Sequence, residues 1–207
     1  TKEAWRTYLS KHPNLRGASV TCPLKTLLMD EVDEKTPEVK KIGALNTLKI
    51  IPGDRGRILA DNTDWKAVRD VMRFHLRESF PTLVIGTGGM ARACLYALQT
   101  SCIPSYIVGR NQETMQDLQK QFGIQETFLW DDLSSIVTKY EPKNVLICVP
   151  MGAEIDLNVL GSDVYVFDMA YAEPYKKRTS VPDHCNYMDG REVLCIQARY
   201  QQEFWGH

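Results

Sequence analysis

The stretch "PTLVIGTGGMARACLYALQT", residues 81–100, decides the fold of this protein. It begins with a short apolar run, passes through a glycine turn and continues as an alanine-rich helical segment. Gly86, Gly88 and Ala91 fit the pattern G-x-G-x-x-G/A between the run and the helix. In a strand–turn–helix unit these residues let the backbone turn tightly and approach a diphosphate at the helix N-terminus. A plain packing turn is the alternative for so short a pattern.

Three more short apolar runs follow along the chain, and helical segments separate them. The runs are "SYIVGRN", "NVLICVPMG" and "VYVFDMAY", and the segment "QETMQDLQKQF" between the first two is helical. Buried strands that do not alternate and that are separated by helices indicate a parallel sheet covered on both faces. We therefore predict an α/β fold whose residues 80–188 form a Rossmann-like lobe.

The end of the second strand indicates which dinucleotide binds. NAD-binding folds carry an Asp or Glu about 20 residues after the glycines, where the carboxylate holds the ribose hydroxyls. Here the strand ends in "VGRN", so Arg110 and Asn111 stand in place of the acid. A guanidinium bonds phosphate oxygens with two N–H groups and stacks on adenine. The sequence therefore favours NADP over NAD.

The chain before residue 80 mixes helical and strand patterns. "AWRTYLSKH", "LKTLLMDEVDEKT" and "DWKAVRDVMRFHLRE" have helical patterns, whereas "GASVTCP" is a strand. "ALNTLKIIPGDRGRILADNTD" reads as two strands around a Pro-Gly-Asp turn, and "GREVLCIQARYQQEFW" near the end of the chain is helical again. We predict that residues 1–79 and 189–207 form a smaller α/β substrate lobe, to which the last helix returns.

Three polar residues stand at the ends of predicted strands in this smaller lobe: Lys25, Asn46 in "GALNT" and Asp64 in "DNTDW". Each gap is about one strand–helix–strand or hairpin unit, so the spacing allows all three to meet at one sheet edge that faces the cofactor. Each residue also has a purely structural interpretation: Lys25 as a surface lysine, Asn46 as a turn former and Asp64 as a helix cap. The spacing alone does not choose between these interpretations.

The composition argues against several classes of function. The 207 residues carry a formal net charge of −1, which gives no electrostatic reason to expect nucleic acid or an acidic membrane as a partner. No apolar run approaches the roughly 18 residues of a membrane span, and the N-terminus lacks a signal-peptide core. Six scattered cysteines without CxxC spacing, mostly in apolar segments, predict reduced core residues and no metal site. We expect a cytoplasmic protein.

Seven motifs extend in order along nearly the whole chain: "SVTCPLK", "IGALNT", "DNTDW", "GTGGMARA", "GRN", "DMAY" and "DGREVLCIQ". By these motifs the sequence resembles the shikimate dehydrogenase family, in particular its fungal branch of pentafunctional aromatic-pathway enzymes, quinate dehydrogenases and quinate repressors. The resemblance implies NADP-dependent oxidoreduction of a cyclitol carboxylate, shikimate or quinate, by part of a longer multidomain chain. In the repressor alternative the domain senses the same ligand without turnover, and the protein is nuclear.

The resemblance also implies roles for individual residues. Lys25 and Asp64 match the catalytic pair beside the reacting carbonyl. The residues that match the groups holding the substrate hydroxyls are Thr21, Asn46 and Gln197. The residues that match the cofactor site are Gly86, Gly88, Gly89, Met90 and Ala91 at the diphosphate, and Arg110 and Asn111 at the adenosine phosphate. Tyr171 and Gly190 match groups beside the substrate and the nicotinamide.

Lys25 suits the implied role on physical grounds. Hydride reduction of a ketone places negative charge on the carbonyl oxygen, so a nearby ammonium stabilises that charge and supplies the proton. A helix N-terminus lowers the pKa of Lys25, whereas Asp64 raises this pKa by favouring the charged form. The sequence leaves the net direction of the pKa shift open.

The sequence departs from the family at its start. The family begins with a strand and a Ser-x-Ser segment whose hydroxyls bind the substrate carboxylate, whereas this sequence starts near the helix that precedes "GASVT". Either the sequence is part of a longer chain or the strand is absent, and both cases leave carboxylate binding without its usual groups. Smaller departures, such as Ala67 and Ala198 where the family commonly has glycine, leave Lys25 and Asp64 in place.

Overall fold

The structure, a computed structural model, describes residues 1–51, 57–75, 80–171, 178 and 180–206. The helices within these ranges are α1 (Lys2–Lys11), α2 (Leu24–Leu27), α3 (Pro37–Ile42), α4 (Asp64–His75), α5 (Gly89–Thr100), α6 (Gln112–Phe122), α7 (Leu133–Tyr140) and α8 (Arg191–Trp205). The strands are β1 (Gly17–Ser19), β2 (Glu34–Lys35), β3 (Thr47–Ile51), β4 (Arg57–Asp61), β5 (Thr82–Ile85), β6 (Ser105–Gly109), β7 (Glu126–Leu129), β8 (Asn144–Ile147), β9 (Tyr165–Asp168) and β10 (Asn186–Asp189).

The larger sheet has six strands in the order β10-β9-β8-β5-β6-β7, and every pairing is parallel. All residues of β5, β6 and β8 are buried. Leu83 and Ile85 pack into an apolar cluster on one face of the sheet, and Val84 between them packs into the cluster on the other face. This double burial explains the uninterrupted apolar runs, and it confirms the predicted Rossmann-like fold.

The strand order defines where a ligand fits on this sheet. From the central β5 the chain first adds β6 and β7 on one side, and then returns to add β8, β9 and β10 on the other. Loops that leave the carboxyl ends of β5 and β8 therefore diverge, and they leave a crevice between them. In open α/β sheets this reversal point is where ligands bind.

The smaller sheet is mixed, with the order β1-β3-β4-β2. The pairs β1–β3 and β3–β4 are antiparallel, whereas β2 lies parallel to β4. Helix α8 packs against this sheet, where Trp205 Nε1 donates to Leu48 O at 2.9 Å. Gly17 is required there because a Cβ at this position would lie 2.6 Å from the Trp205 indole nitrogen. The last helix thus packs on the smaller sheet.

The helix predicted over residues 24–36 is wrong beyond its first turn. Helix α2 ends at Leu27, and the chain then extends so that β2 pairs with β4. Asp33 fixes this course, because its backbone N donates to Ile58 O at 3.0 Å and its carboxylate accepts from Ile58 N at 2.7 Å. Pairing with β4 satisfies backbone groups that a longer α2 would have satisfied internally, so tertiary contact overrides the helical periodicity.

Other details also differ from the prediction. The structure adds α3, β7, α7 and β10, which the sequence analysis did not identify. Cys22, Cys102 and Cys195 are exposed, so the prediction of core cysteines is wrong for these three. The Pro-Gly-Asp turn, the end of the helix predicted over 64–78 and the lobe boundary at residue 79 lie outside the described residues. Within the described ranges, no helix is long and apolar enough to cross a membrane.

Candidate active site

Lys25 and Asp64 form a buried ion pair between α2 and the first residue of α4. Lys25 Nζ donates to Asp64 Oδ2 at 2.6 Å, and the two side chains are 10% and 7% exposed. Burial lowers the pKa of Lys25, but the attraction of the Asp64 charge and the hydrogen bond to it outweigh burial, so the pKa lies above its usual value. The structure thus gives the direction that the sequence left open, and Lys25 is an ammonium at neutral pH.

Asn46 orients the carboxylate of this pair. Its Nδ2 lies 2.9 Å from Asp64 Oδ1, so the two carboxylate oxygens bond to different partners. Its Oδ1 accepts from Thr63 N and from Thr47 Oγ1, each at 2.7 Å. These bonds fix the amide plane of Asn46, which is only 2% exposed, and therefore the direction in which Asp64 faces. Lys25, Asn46 and Asp64 do converge, as their spacing allows.

Gln197 on α8 joins the same network, and one of its N–H groups has no partner among the described residues. Its Oε1 accepts from Asn46 Nδ2 and from Thr63 Oγ1, each at 3.1 Å. Its Nε2 donates to Leu194 O at 3.1 Å. A carboxamide nitrogen carries two N–H groups, so a second N–H remains for a ligand.

Gln201, one turn further along α8, has no such spare donor. Its Nε2 lies 3.2 Å from Asn46 O and 3.0 Å from Thr47 Oγ1, and its Oε1 accepts from Ser19 Oγ at 2.9 Å. Gln201 therefore attaches α8 to β1 and β3, and both of its N–H groups are occupied although it also lines the neighbouring cavity. The sequence analysis missed Ser19, Thr63 and Gln201, although Gln201 follows Gln197 by one helical turn and therefore lies on the same face.

A cavity of about 120 Å³ lies next to this network. Its polar lining includes all six predicted catalytic and substrate residues, namely Lys25, Asp64, Thr21, Asn46, Gln197 and Tyr171. The Tyr171 hydroxyl lies 3.2 Å from Thr21 Oγ1. Met90 and Gly190, which were predicted for the cofactor, line the same cavity. The cofactor side and the substrate side of the predicted site therefore share one space.

The glycine turn after β5 has the geometry that its motif predicts. Gly86 has φ +118°, and a Cβ there would lie 2.9 Å from Cys148 O. A Cβ on Gly89 would lie 2.7 Å from Lys25 Cβ, so the turn packs directly against the ion pair. Gly88 is the N-cap of α5 and has no side chain to cap the helix, and the space where its Cβ would be is open. No described residue fills the space beside Gly88, so the N–H groups in the first turn of this 12-residue helix can bind an anion.

The remaining predicted cofactor residues lie in different environments. Ala91 is fully buried in the core, where its small side chain lets α5 approach the sheet closely. Arg110 is exposed at the end of β6, next to the glycine turn because β6 pairs with β5. The Asn111 side chain accepts from Thr114 N at 2.8 Å and so caps α6. Of these three residues, Arg110 has the charge and the exposure that a phosphate contact needs.

Comparison with known sequences agrees with the resemblance carried by the motifs. Residues 3–48 match the family model described as the shikimate dehydrogenase substrate binding domain. The pentafunctional AROM polypeptide of Eremothecium gossypii is 34% identical over 220 residues, a match that covers 95% of this chain and 14% of that polypeptide. The chain spans only 7% to 14% of the length of the first curated relatives it matches.

Comparison with solved structures shows the same fold. Shikimate dehydrogenase from Aquifex aeolicus matches with a TM-score of 0.82 and 23% identity, covering 99% of this chain and 76% of that one. Shikimate 5-dehydrogenase from Thermus thermophilus, solved in complex with NADP(H) and shikimate, matches with a TM-score of 0.76 and 21% identity, covering 99% and 78%. On the family match, the sequence relatives and the shared fold, this chain belongs to the shikimate dehydrogenase family.

Proposed function

We propose that this protein catalyses the reversible, NADP-dependent oxidoreduction of a cyclitol carboxylate, either shikimate and 3-dehydroshikimate or quinate and its ketone. The observation that carries the proposal is the buried Lys25–Asp64 pair, which lines a cavity that Met90 of the glycine turn also lines. A proton donor and a dinucleotide turn beside one small polar cavity are the parts that a hydroxyl/ketone dehydrogenase needs. The relatives in the shikimate dehydrogenase family support this assignment.

The residues around the crevice fit NADP. Gly88 and the N–H groups in the first turn of α5 suit the diphosphate, and Arg110 suits the 2′-phosphate on the adenosine side. When bound, NADP(H) supplies or accepts the hydride. Met90 and Gly190 line the cavity and would lie beside the nicotinamide half of a dinucleotide whose diphosphate is held at the turn.

Lys25 is the group that exchanges a proton with the substrate oxygen in this proposal. In the reducing direction its ammonium donates to the carbonyl oxygen and stabilises the negative charge that develops there. The raised pKa keeps Lys25 protonated for this step, and Asp64 holds Nζ in one direction. In the oxidising direction the pair must accept the hydroxyl proton, which becomes easier as the pH rises. Both directions therefore use the same two side chains.

The remaining polar groups position the substrate hydroxyls. Thr21 Oγ1, the Tyr171 hydroxyl and the second N–H of Gln197 are suitable partners at the cavity wall. Asn46 Nδ2 already contacts three acceptors, so a substrate hydroxyl must replace one of them to reach it. A substrate role for Asn46 stays a prediction, beside the orientation of Asp64 that the structure shows.

The test is turnover with both candidate substrates. The protein should reduce NADP⁺ with shikimate or quinate, and Lys25→Met should lower kcat by about 10² to 10⁴ with a smaller change in KM. Lys40→Met is the matched control, because Lys40 is an exposed lysine on α3 and should leave kcat unchanged. Equal kcat values for the wild type and Lys25→Met would exclude the catalytic role.

A sensor without turnover is the alternative, and the relatives give it no support. Tight binding of shikimate or quinate with no NADP⁺ reduction by the full-length protein would favour it. We also propose that the chain works in the cytoplasm within a longer polypeptide, because the relatives it matches are several times longer. The apparent mass of the native protein on an immunoblot tests whether the polypeptide is longer than these 207 residues.

A further inference from the structure

Arg178 is a buried cation enclosed by the loop after β8. It is 4% exposed, and Nε donates to Asp168 Oδ2 at 2.9 Å while Nη2 lies 3.3 Å from Asp168 Oδ1. The remaining N–H groups reach four carbonyl oxygens at 3.1 to 3.3 Å, those of Val149, Pro150, Met151 and Ala153. One side chain therefore sets the backbone course of residues 149–153.

Burying this cation is costly unless its charge and its donors are matched. Asp168, which is 1% exposed at the end of β9, supplies the charge, and the loop carbonyls take the donors that remain. The same loop, packed around a neutral side chain, would need other donors for its carbonyls. The buried ion pair thus fixes the shape of one loop. It takes no part in the proton transfer at Lys25.

The loop that Arg178 holds is one wall of the crevice at the reversal point of the sheet. It begins next to the glycine turn, because Cys148 N donates to Ile85 O at 2.8 Å and Cys148 O closely approaches Gly86. Arg110 lies on the opposite side of β5, at the end of β6. A dinucleotide with its adenosine phosphate at Arg110 and its diphosphate at the turn must therefore extend past the loop after β8 to reach the cavity.

We propose that Arg178 is a positioning residue for the nicotinamide half of the cofactor. It acts through the backbone of residues 149–153, which it holds in the shape that this half of the dinucleotide contacts. The inference rests on the proposed NADP-dependent function. It predicts a selective defect, because the adenosine half binds on the other side of the glycine turn and does not meet this loop.

The test compares NADPH with 2′,5′-ADP, a fragment that lacks the nicotinamide half. Arg178→Lys keeps a positive charge near Asp168, but one ammonium cannot reach the carboxylate and four carbonyls together. We expect calorimetry to show NADPH binding weakened by about tenfold or more, the usual effect of removing a residue that orients a binding group. Binding of 2′,5′-ADP should stay unchanged within about twofold. The double variant Asp168→Asn/Arg178→Gln, which leaves no unpaired buried charge, should show the same selective loss.

Two controls separate positioning from a general loss of stability. Ile136→Ala removes a buried side chain on α7 in the same lobe and should weaken neither ligand. Arg110→Ala should weaken both ligands. Equal weakening of NADPH and 2′,5′-ADP in the Arg178 variants, or unchanged NADPH binding, would overturn this inference alone. A wild-type protein that binds neither ligand would overturn the proposed function and the inference with it.

Discussion

The Lys25–Asp64 pair predicts a coupled loss of folding free energy, because each charge is buried and depends on the other. The two groups lie 2.6 Å apart with side chains 10% and 7% exposed. Removal of one partner from such a pair costs about 3–5 kcal/mol, since the other charge stays buried without compensation. We expect Lys25→Met and Asp64→Asn each to lower the free energy of unfolding by about 3 kcal/mol. The double variant should lose about 2 kcal/mol less than the sum of the two.

Urea unfolding at neutral pH, followed by circular dichroism, measures this cycle, and the slope of free energy against urea should stay constant. The surface pair Lys139–Glu126 is the control, with Lys139 Nζ 3.8 Å from Glu126 Oε2 and side chains 64% and 48% exposed. The cycle Lys139→Met/Glu126→Gln should give a coupling of about 1 kcal/mol or less. Strictly additive losses at Lys25 and Asp64 would refute the coupling that the geometry requires.

Three further predictions concern the same site. Folding raises the pKa of Lys25, so the contribution of its charge to stability is complete below the unfolded value of about 10.4 and is lost above it. The difference in urea midpoint between the wild type and Lys25→Met should therefore shrink only above that pH. A difference that shrinks below that pH would contradict this reasoning. Gly89→Ala forces a Cβ to within 2.7 Å of Lys25 Cβ and should lower the free energy of unfolding in urea by about 1–3 kcal/mol. Gly88→Ala, which has open space around its Cβ, should lower it by less than about 1 kcal/mol yet weaken NADPH binding in calorimetry. Arg110→Ala should reduce the preference for NADPH over NADH by about tenfold or more, and equal affinities in the wild type would exclude the contact.

The sequence by itself determined the four inner strands of the larger sheet and the glycine turn. The strands around "TLVIG" are buried on both faces, so their apolar runs signal them without reference to any partner. Gly86 is required by its backbone conformation, and it is a fixed position of the motif. Gly89 is required by its close approach to Lys25, and only the family resemblance named it. The family resemblance carried by the order of the motifs implied functional roles for Lys25 and Asp64, whereas their spacing by itself only allowed them to converge at one sheet edge.

Only the tertiary structure decided features that depend on contacts far apart in sequence. The helical periodicity of residues 24–36 was outweighed by the pairing of β2 with β4, which begins at Asp33. The edge strands β7 and β10 are only partly buried, so their residues lack the apolar runs that revealed the central strands. The raised pKa of Lys25, the bonds that occupy Gln201 and the loop held by Arg178 depend on partners up to 182 residues away. Periodicity reports the environment along one element, whereas a hydrogen bond or ion pair between elements requires both partners to be placed.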